Sequence, residues 1–118
     1  MIPLKGVVLD APDPRQLARF YCELLGWQLG EDDETWATAI GPNDTKLSFQ
    51  LEPNYRPPTW PSETEKQQMQ LHLDLQVDDL EAAHERATSL GARLQEFQPQ
   101  PDVRVYADPA GHIFCFFA

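Results

Sequence analysis

The 118-residue chain has few cysteines and few basic residues. Its 2 cysteines, Cys22 and Cys115, are too few for a disulfide framework and lack the spacing of a structural zinc site. Only 9 Lys and Arg residues stand against 19 Asp and Glu residues, which gives a net charge of −10. This charge argues against binding to nucleic acid or to anionic membranes, because both are bound through basic surfaces.

Several other signals are missing from the sequence. No apolar run approaches the roughly 18 residues of a membrane span, and the N-terminus has no signal-peptide pattern. There is no glycine-rich dinucleotide-binding motif, no phosphate-binding loop and no arrangement of Ser, His and Asp typical of a hydrolase catalytic triad. With 42% hydrophobic residues the chain can still bury a core. We therefore expect one cytoplasmic domain with reduced thiols, over residues 1–118.

Strand and helix patterns occur twice in the same order. The first set is predicted at residues 4–10, 14–25, 27–29, 35–40 and 46–51. The second is predicted at residues 71–77, 79–90, 92–97, 103–107 and 113–117. In both, an aspartate caps the helix and a glycine ends it 13 residues later, Asp13 with Gly26 and Asp78 with Gly91. The pattern predicts an α+β fold of tandem βαβββ modules, at about 1–52 and 69–118.

A proline-rich connector at residues 53–68 joins the modules. It carries an aromatic pair, Tyr55 and Trp60, and its prolines deny backbone donors. One interpretation is a stiff linker. The other is a flap over a pocket, because exposed aromatic side chains are costly unless they cover something.

Alternation along the strands separates a polar face from an apolar one. In residues 71–77 the odd positions are apolar, whereas the even positions are His72, Asp74 and Gln76. In residues 46–51 the polar side includes Ser48 and Gln50. Residues 113–117 are apolar on both sides, which is typical of a strand buried on both faces. A face that mixes such polar and apolar groups is typical of a small-molecule pocket.

Three motifs carry a resemblance to a known superfamily. Residues 8–14, 20–27 and 108–112 read VLDAPDP, FYCELLGW and DPAGH. In this order they resemble the vicinal oxygen chelate superfamily of glyoxalase I, fosfomycin and bleomycin resistance proteins and extradiol dioxygenases. The connector sequence PPTWP followed by HLDL at 72–75 is similar to its small glyoxalase-like domain subgroup.

The resemblance implies a fold and a ligand set. It implies a cup-shaped mixed sheet with helices on the outer face, a homodimer, and a divalent metal in the enzymatic branches. Three of the four ligand positions of those branches fall here on Gly6, on Gln50 or Ser48, and on Cys115. The fourth falls on His72, which alone matches in kind. We therefore expect no usual metal cofactor; if a metal binds, the candidates are His72, Gln50 and Cys115.

Arg104 has two interpretations, whereas two histidines have one expectation each. Arg104 and Tyr106 share a side of strand 103–107 and would reach into the cup, where Arg104 would bind a carboxylate. Alternatively Arg104 points outward and pairs with a surface carboxylate. His112 is expected to be a surface or packing residue, and His84 to be exposed on its helix.

Three functions remain open from the sequence. The first is a metal-free protein of the glyoxalase and bleomycin-resistance type that binds a small organic ligand. The second is a lyase or isomerase in which His72 is general base or metal ligand, with Asp74 as its partner. The third is a dimeric interaction module. The predicted ligand-binding residues are Ser48, Gln50, Trp60, His72, Asp74, Arg104 and Cys115.

Overall fold

A computed structural model describes residues 1–118, and its first helix has the predicted bounds. Helix α1 spans Pro14–Leu25. It begins there because the Asp13 side chain accepts a hydrogen bond from the Gln16 N–H at 3.3 Å, and because a proline suits the first helical turn. It ends at Gly26, whose φ of 70° is in the left-handed region.

The first module contains a four-stranded mixed sheet. Its strands are β1 (Gly6–Ala11), β2 (Gln28–Asp32), β3 (Trp36–Ile40) and β4 (Lys46–Leu51), in the order β1-β4-β3-β2. β1 and β4 are parallel and the other pairs are antiparallel. α1 packs on one face of this sheet, where Tyr21 stacks on Phe49 with ring centroids 5.6 Å apart.

The second module repeats this topology. Its elements are β5 (Leu73–Gln76), α2 (Leu80–Ser89), β6 (Arg93–Leu94), β7 (Val103–Ala107) and β8 (Ile113–Phe117). The sheet order is β5-β8-β7-β6, with β5 and β8 parallel. The predicted tandem of βαβββ modules is therefore confirmed.

The predicted cap of the second helix is wrong by one residue. Asp79, not Asp78, is the N-cap, and its Oδ1 accepts from the Glu81 N–H at 2.9 Å and from the Ala82 N–H at 3.2 Å. Two adjacent aspartates are equally good caps, so the sequence pattern does not choose between them.

The predicted strand 92–97 is also wrong in length, since β6 has only 2 residues. The Gln98 side chain explains this difference. Its Oε1 accepts from the Val105 N–H and its Nε2 donates to the Val105 carbonyl, each at 2.9 Å. The Val105 carbonyl still accepts from the Gln95 N–H at 3.0 Å, but the Val105 N–H donates to the Gln98 side chain, so the backbone pairing ends there.

The chain forms two compact units, Met1–Tyr55 and Arg56–Ala118. The proline-rich part of the connector therefore belongs to the second unit. There the Thr59 N–H donates to the Gln67 carbonyl at 2.8 Å and closes a loop within the connector. Neither α1 nor α2 is long and apolar enough to cross a membrane.

Candidate functional site

The register of β5, β8 and β7 defines the two faces of the second sheet. Asp74, Cys115 and Val105 are cross-strand partners and share one face. Leu73, Phe114 and Tyr106 share the other. This second face is the one that packs on α2, since the Tyr106 hydroxyl lies 2.8 Å from His84 Nδ1. The predicted alternation of β5, apolar toward the helix and polar on the opposite side, is confirmed.

His72, Asp74 and Cys115 come together on the face away from α2; we call them the trio. His72 Nε2 lies 3.2 Å from Asp74 Oδ1. The two side chains are 41% and 61% exposed, whereas Cys115 is only 7% exposed. The Cys115 sulfur and the nearest ligand atoms of the other two all lie within 4.8 Å of one another.

The Cys115 thiol is held in its neutral form in this environment. Burial raises the pKa of Cys115, and the nearby Asp74 carboxylate raises it further. An uncharged, buried thiol is a weak nucleophile. The reactive polar groups of the trio are therefore His72 and Asp74.

An apolar patch borders the trio on the same face. It consists of the buried side chains of Val105, Ala107, Ile113 and Cys115, and the partly buried Trp60, Met69 and Val103 pack against it. The Trp60 indole Nε1–H donates to the Phe97 carbonyl at 2.9 Å, and the two rings have centroids 6.0 Å apart. Trp60 is therefore a packed side chain beside the patch, and the connector is attached to the second module through it.

Ser48 and Gln50 lie in the first module, on the face of its sheet opposite α1. The Ser48 hydroxyl is buried and lies 3.3 Å from the Thr38 hydroxyl. The Gln50 side chain is exposed, with Asp10 and Trp36 as its cross-strand partners. These two residues belong to a different unit from the trio.

Arg104 and Tyr106 do not share the face of the trio, so their predicted orientation is wrong. The Arg104 guanidinium pairs with the Glu81 carboxylate of α2, which is the alternative interpretation. Tyr106 is fully buried among Phe114 and Phe116. The prediction placed the valines of β7 on the face that packs on α2. That face is instead occupied by the aromatic cluster that contains Tyr106. His84, expected to be exposed, is half-buried against Tyr106.

His112 is a packing residue, as expected. Its Nδ1 lies 2.9 Å from Oδ2 of Asp108, a fully buried carboxylate. Asp108 Oδ1 also accepts from the backbone N–H groups of Ala110 at 2.9 Å and His112 at 3.0 Å. The Asp-Pro-x-Gly turn is thus organised around a buried aspartate, a role that the motif alone did not reveal.

The donors at the superfamily's metal positions do not fit the usual metal. Gly6 has no side chain and no room for one, because a Cβ there would lie 2.7 Å from the Lys46 carbonyl oxygen. Cys115 offers a buried thiol in place of a carboxylate. Mg²⁺ and Mn²⁺ require oxygen-rich sites, so we derive no chemistry through such an ion.

The two βαβββ modules define the structural class of this chain. A family model described as the glyoxalase-like domain matches residues 6–117. The chain therefore belongs to the family of glyoxalase-like domains, within the vicinal oxygen chelate superfamily. No curated protein matches the chain.

Solved structures share the fold at low sequence identity. A possible glyoxalase from Bacillus cereus has a TM-score of 0.73 at 11% identity, with 100% of both chains covered. A glyoxalase-related enzyme from Fulvimarina pelagi has a TM-score of 0.71 at 20% identity, covering 99% of this chain and 88% of that one. The fosfomycin resistance protein FosX from Listeria monocytogenes has a TM-score of 0.73 at 14% identity, covering 100% and 92%.

Proposed function

We propose that this chain binds a small organic ligand on the β5–β8 face that carries the trio, as a glyoxalase/bleomycin-resistance-like protein without the usual catalytic metal. The observation that carries the proposal is the adjacency of exposed His72 and Asp74 to the apolar patch. Ligand sites combine a largely apolar lining with a few polar groups that fix orientation. The absent donor at Gly6 supports the metal-free form.

The chemistry of the face suits a ligand with an aromatic or aliphatic body and a polar head. His72 donates or accepts a hydrogen bond according to its tautomer, and Asp74 accepts one. Apolar contact would come from the partly buried Trp60, Met69 and Val103, which pack against the buried Val105 and Ile113.

A thermal-shift screen in EDTA tests this proposal. Aromatic antibiotics and α-ketoaldehyde–thiol adducts are suitable probes. A ligand of the native state raises the melting temperature by mass action, and Asp74→Asn should reduce that rise. Asp102→Asn is the matched control, since it removes the same charge from an exposed turn. If no probe raises the melting temperature, or if both variants reduce the rise equally, the β5–β8 face is not the binding site.

A lyase or isomerase is the second candidate, favoured by the 3.2 Å contact between His72 and Asp74. In such a reaction His72 would take a proton from a carbon beside a carbonyl and return it to the neighbouring atom. Asp74 would orient the imidazole. Turnover of an α-ketoaldehyde–thiol adduct that is lost in His72→Ala would select this candidate, whereas binding without turnover would select the first.

A dimeric interaction module in the cytoplasm is the third candidate. The free thiols Cys22 and Cys115 are compatible with a reducing compartment. Light scattering on the purified protein measures its mass. A stable dimer, together with a thermal-shift screen in which no probe raises the melting temperature, would favour this third candidate.

A further inference from the structure

A cavity lies on the α2 side of the second sheet, away from the trio; we call it the α2-side cavity. It has a volume of about 620 Å³ and is lined by residues of α2, of β7 and of the loop between β6 and β7. This volume is within the roughly 300–1,000 Å³ of small-molecule sites. We propose that the α2-side cavity binds a small organic acid through Arg104 and His84. The proposal does not depend on the function proposed above, because no residue of the trio lines this cavity.

Arg104 supplies the positive charge of the cavity. Its guanidinium pairs with the Glu81 carboxylate of α2, and the two side chains are 29% and 74% exposed. A guanidinium binds a carboxylate through two parallel N–H bonds, but an ion pair with so exposed a partner is weak. The Glu81 carboxylate therefore occupies the position that we assign to the carboxylate of the ligand. A ligand that also makes apolar contacts can displace it.

His84 supplies a second donor beside Arg104. The Tyr106 hydroxyl lies 2.8 Å from His84 Nδ1, and Tyr106 is fully buried. A buried hydroxyl needs an acceptor for its proton, and Nδ1 is within reach. The nearby Arg104 guanidinium, which partly opposes the rise in the pKa of Tyr106, attracts the hydroxyl oxygen and so turns the proton toward Nδ1. The neutral imidazole then carries its own proton on Nε2, from which it donates to a ligand carboxylate.

The walls of the cavity are apolar and held in place. Leu94 is 46% exposed, and Pro99 and Pro101 also line the cavity. The Gln98 side chain fixes the loop that carries the prolines, because it bonds both backbone groups of Val105, each at 2.9 Å. A fixed apolar wall beside two N–H donors suits an acid with an aromatic or branched aliphatic body.

An NMR titration of the isotope-labelled full chain tests the inference, with benzoate as the probe and benzamide as its uncharged match. Benzoate should shift the amide signals of residues 81–84 and 94–104 saturably. Benzamide should bind about tenfold more weakly or less, because it lacks the charge that strengthens the hydrogen bonds. Equal binding of the two probes, no saturable shift at millimolar benzoate, or shifts confined to residues 72–76 would overturn the inference.

Glu81→Gln tests whether Glu81 competes with the ligand. Its removal as a charge should strengthen benzoate binding by up to about fivefold, the factor that an exposed ion pair contributes. Glu85→Gln is the matched control, because it removes the same charge from an exposed position of α2 that does not line the cavity. Unchanged or weaker binding in Glu81→Gln, or an equal gain in both variants, would contradict the site.

Arg104→Gln should weaken benzoate binding about tenfold or more. Arg104→Lys should restore part of the affinity, since an ammonium group keeps the charge but not the two parallel bonds. Arg93→Gln is the matched control, because it removes an exposed positive charge of β6 outside the cavity lining. If Arg93→Gln weakened binding as much as Arg104→Gln, the effect would be one of overall charge, and the assignment to Arg104 would be wrong.

The tautomer of His84 is measured on the wild type, so this test stands even if Arg104→Gln does not fold. The protonated and unprotonated nitrogens of a neutral imidazole differ in chemical shift. We expect the proton on Nε2, and a change in the Nε2 signal when benzoate binds. A proton on Nδ1, or an Nε2 signal that ignores benzoate, would refute the role of His84.

Discussion

Gly111 closes the turn between β7 and β8 and has no room for a side chain. Its φ of 98° lies in the region that L-residues rarely adopt. A Cβ at this position would lie 2.6 Å from the Pro57 Cβ of the connector. The glycine thus permits both the turn and the close approach of the connector.

Gly111→Ala should destabilise the protein by about 2–4 kcal/mol, through backbone strain together with the steric conflict at Pro57. Gly26→Ala is the matched control, because Gly26 also has a positive φ but nothing within 4 Å of an added Cβ. It should cost only about 1–2 kcal/mol. Urea denaturation measures both free energies of unfolding. If both variants lost the same free energy of unfolding, the connector at Pro57 would move away from the added methyl group without destabilising the protein.

Tyr106 should make the stability of the protein depend on pH above 10. Burial raises the pKa of Tyr106 above its usual value near 10, although the Arg104 guanidinium partly opposes this shift. The stability from the neutral phenol is complete below the unfolded-state pKa and is lost as pH rises through the higher folded-state pKa.

Comparison with Tyr106→Phe tests this linkage. At pH 7 the variant should be less stable by about 1 kcal/mol, because it loses the hydrogen bond to His84. The difference in unfolding free energy should shrink above pH 10. A difference that is constant from pH 7 to pH 11 would contradict the raised pKa.

Single residues of the trio were predictable because alternation in an extended segment is a strict rule. Alternation assigned His72 and Asp74 to one face, and the ligand position implied by the resemblance placed Cys115 with them; all three lie there. Arg104 was misplaced because β7 has apolar residues on both faces, and only packing decides which side meets α2. The aromatic cluster around Tyr106 settles that choice through tertiary contacts, which strand periodicity does not encode.

At the scale of elements, capping aspartates determine where both helices begin. Asp13 and Asp79 each accept backbone N–H bonds of the first helical turn. The boundaries of α1, β4, β7 and β8 were predicted because turn residues flank them. The boundary of β6 was not predicted, because the Gln98 side chain bonds the Val105 backbone where the strand ends. Such a tertiary contact cannot be read from strand periodicity.

Asp79→Ala should cost about 1 kcal/mol, because it leaves the Glu81 and Ala82 N–H groups without their acceptor. Asp78→Ala is the matched control one residue earlier and should change the free energy of unfolding by less than about 0.5 kcal/mol. Chemical denaturation with helical circular dichroism gives both values. If Asp78→Ala were the more costly substitution, the helix would begin one residue earlier than the structure has it.

At the scale of the whole molecule, the repeat predicted the fold and the charge predicted nothing about it. The two modules share the same strand order because the same pattern of cap, apolar stripe and glycine occurs twice. Net charge affects solubility, association and self-repulsion instead. Acidic residues such as Glu31, near the end of β2, and Glu34, in the turn before β3, are exposed.

Added salt should therefore stabilise this protein. A net charge of −10 on a 118-residue chain produces repulsion that is strongest in the compact state. The Debye length falls from about 30 Å at 0.01 M salt to about 8 Å at 0.15 M, so this repulsion is largely screened. Salt also weakens ion pairs such as Arg104–Glu81, but partly exposed pairs contribute at most about 1 kcal/mol.

The melting temperature should rise by a few degrees between 0.01 M and 0.15 M NaCl, as differential scanning calorimetry can measure. The double variant Glu31→Gln, Glu34→Gln removes two exposed negative charges from the β2–β3 hairpin, so it should melt higher at low salt and gain less from added salt. A buffer series with sucrose in place of NaCl separates screening from general solute effects. A melting temperature that falls with NaCl would mean that the ion pairs outweigh the repulsion. Because screening acts on the whole charge distribution, the double variant should lose only part of the salt dependence, in proportion to the charge removed.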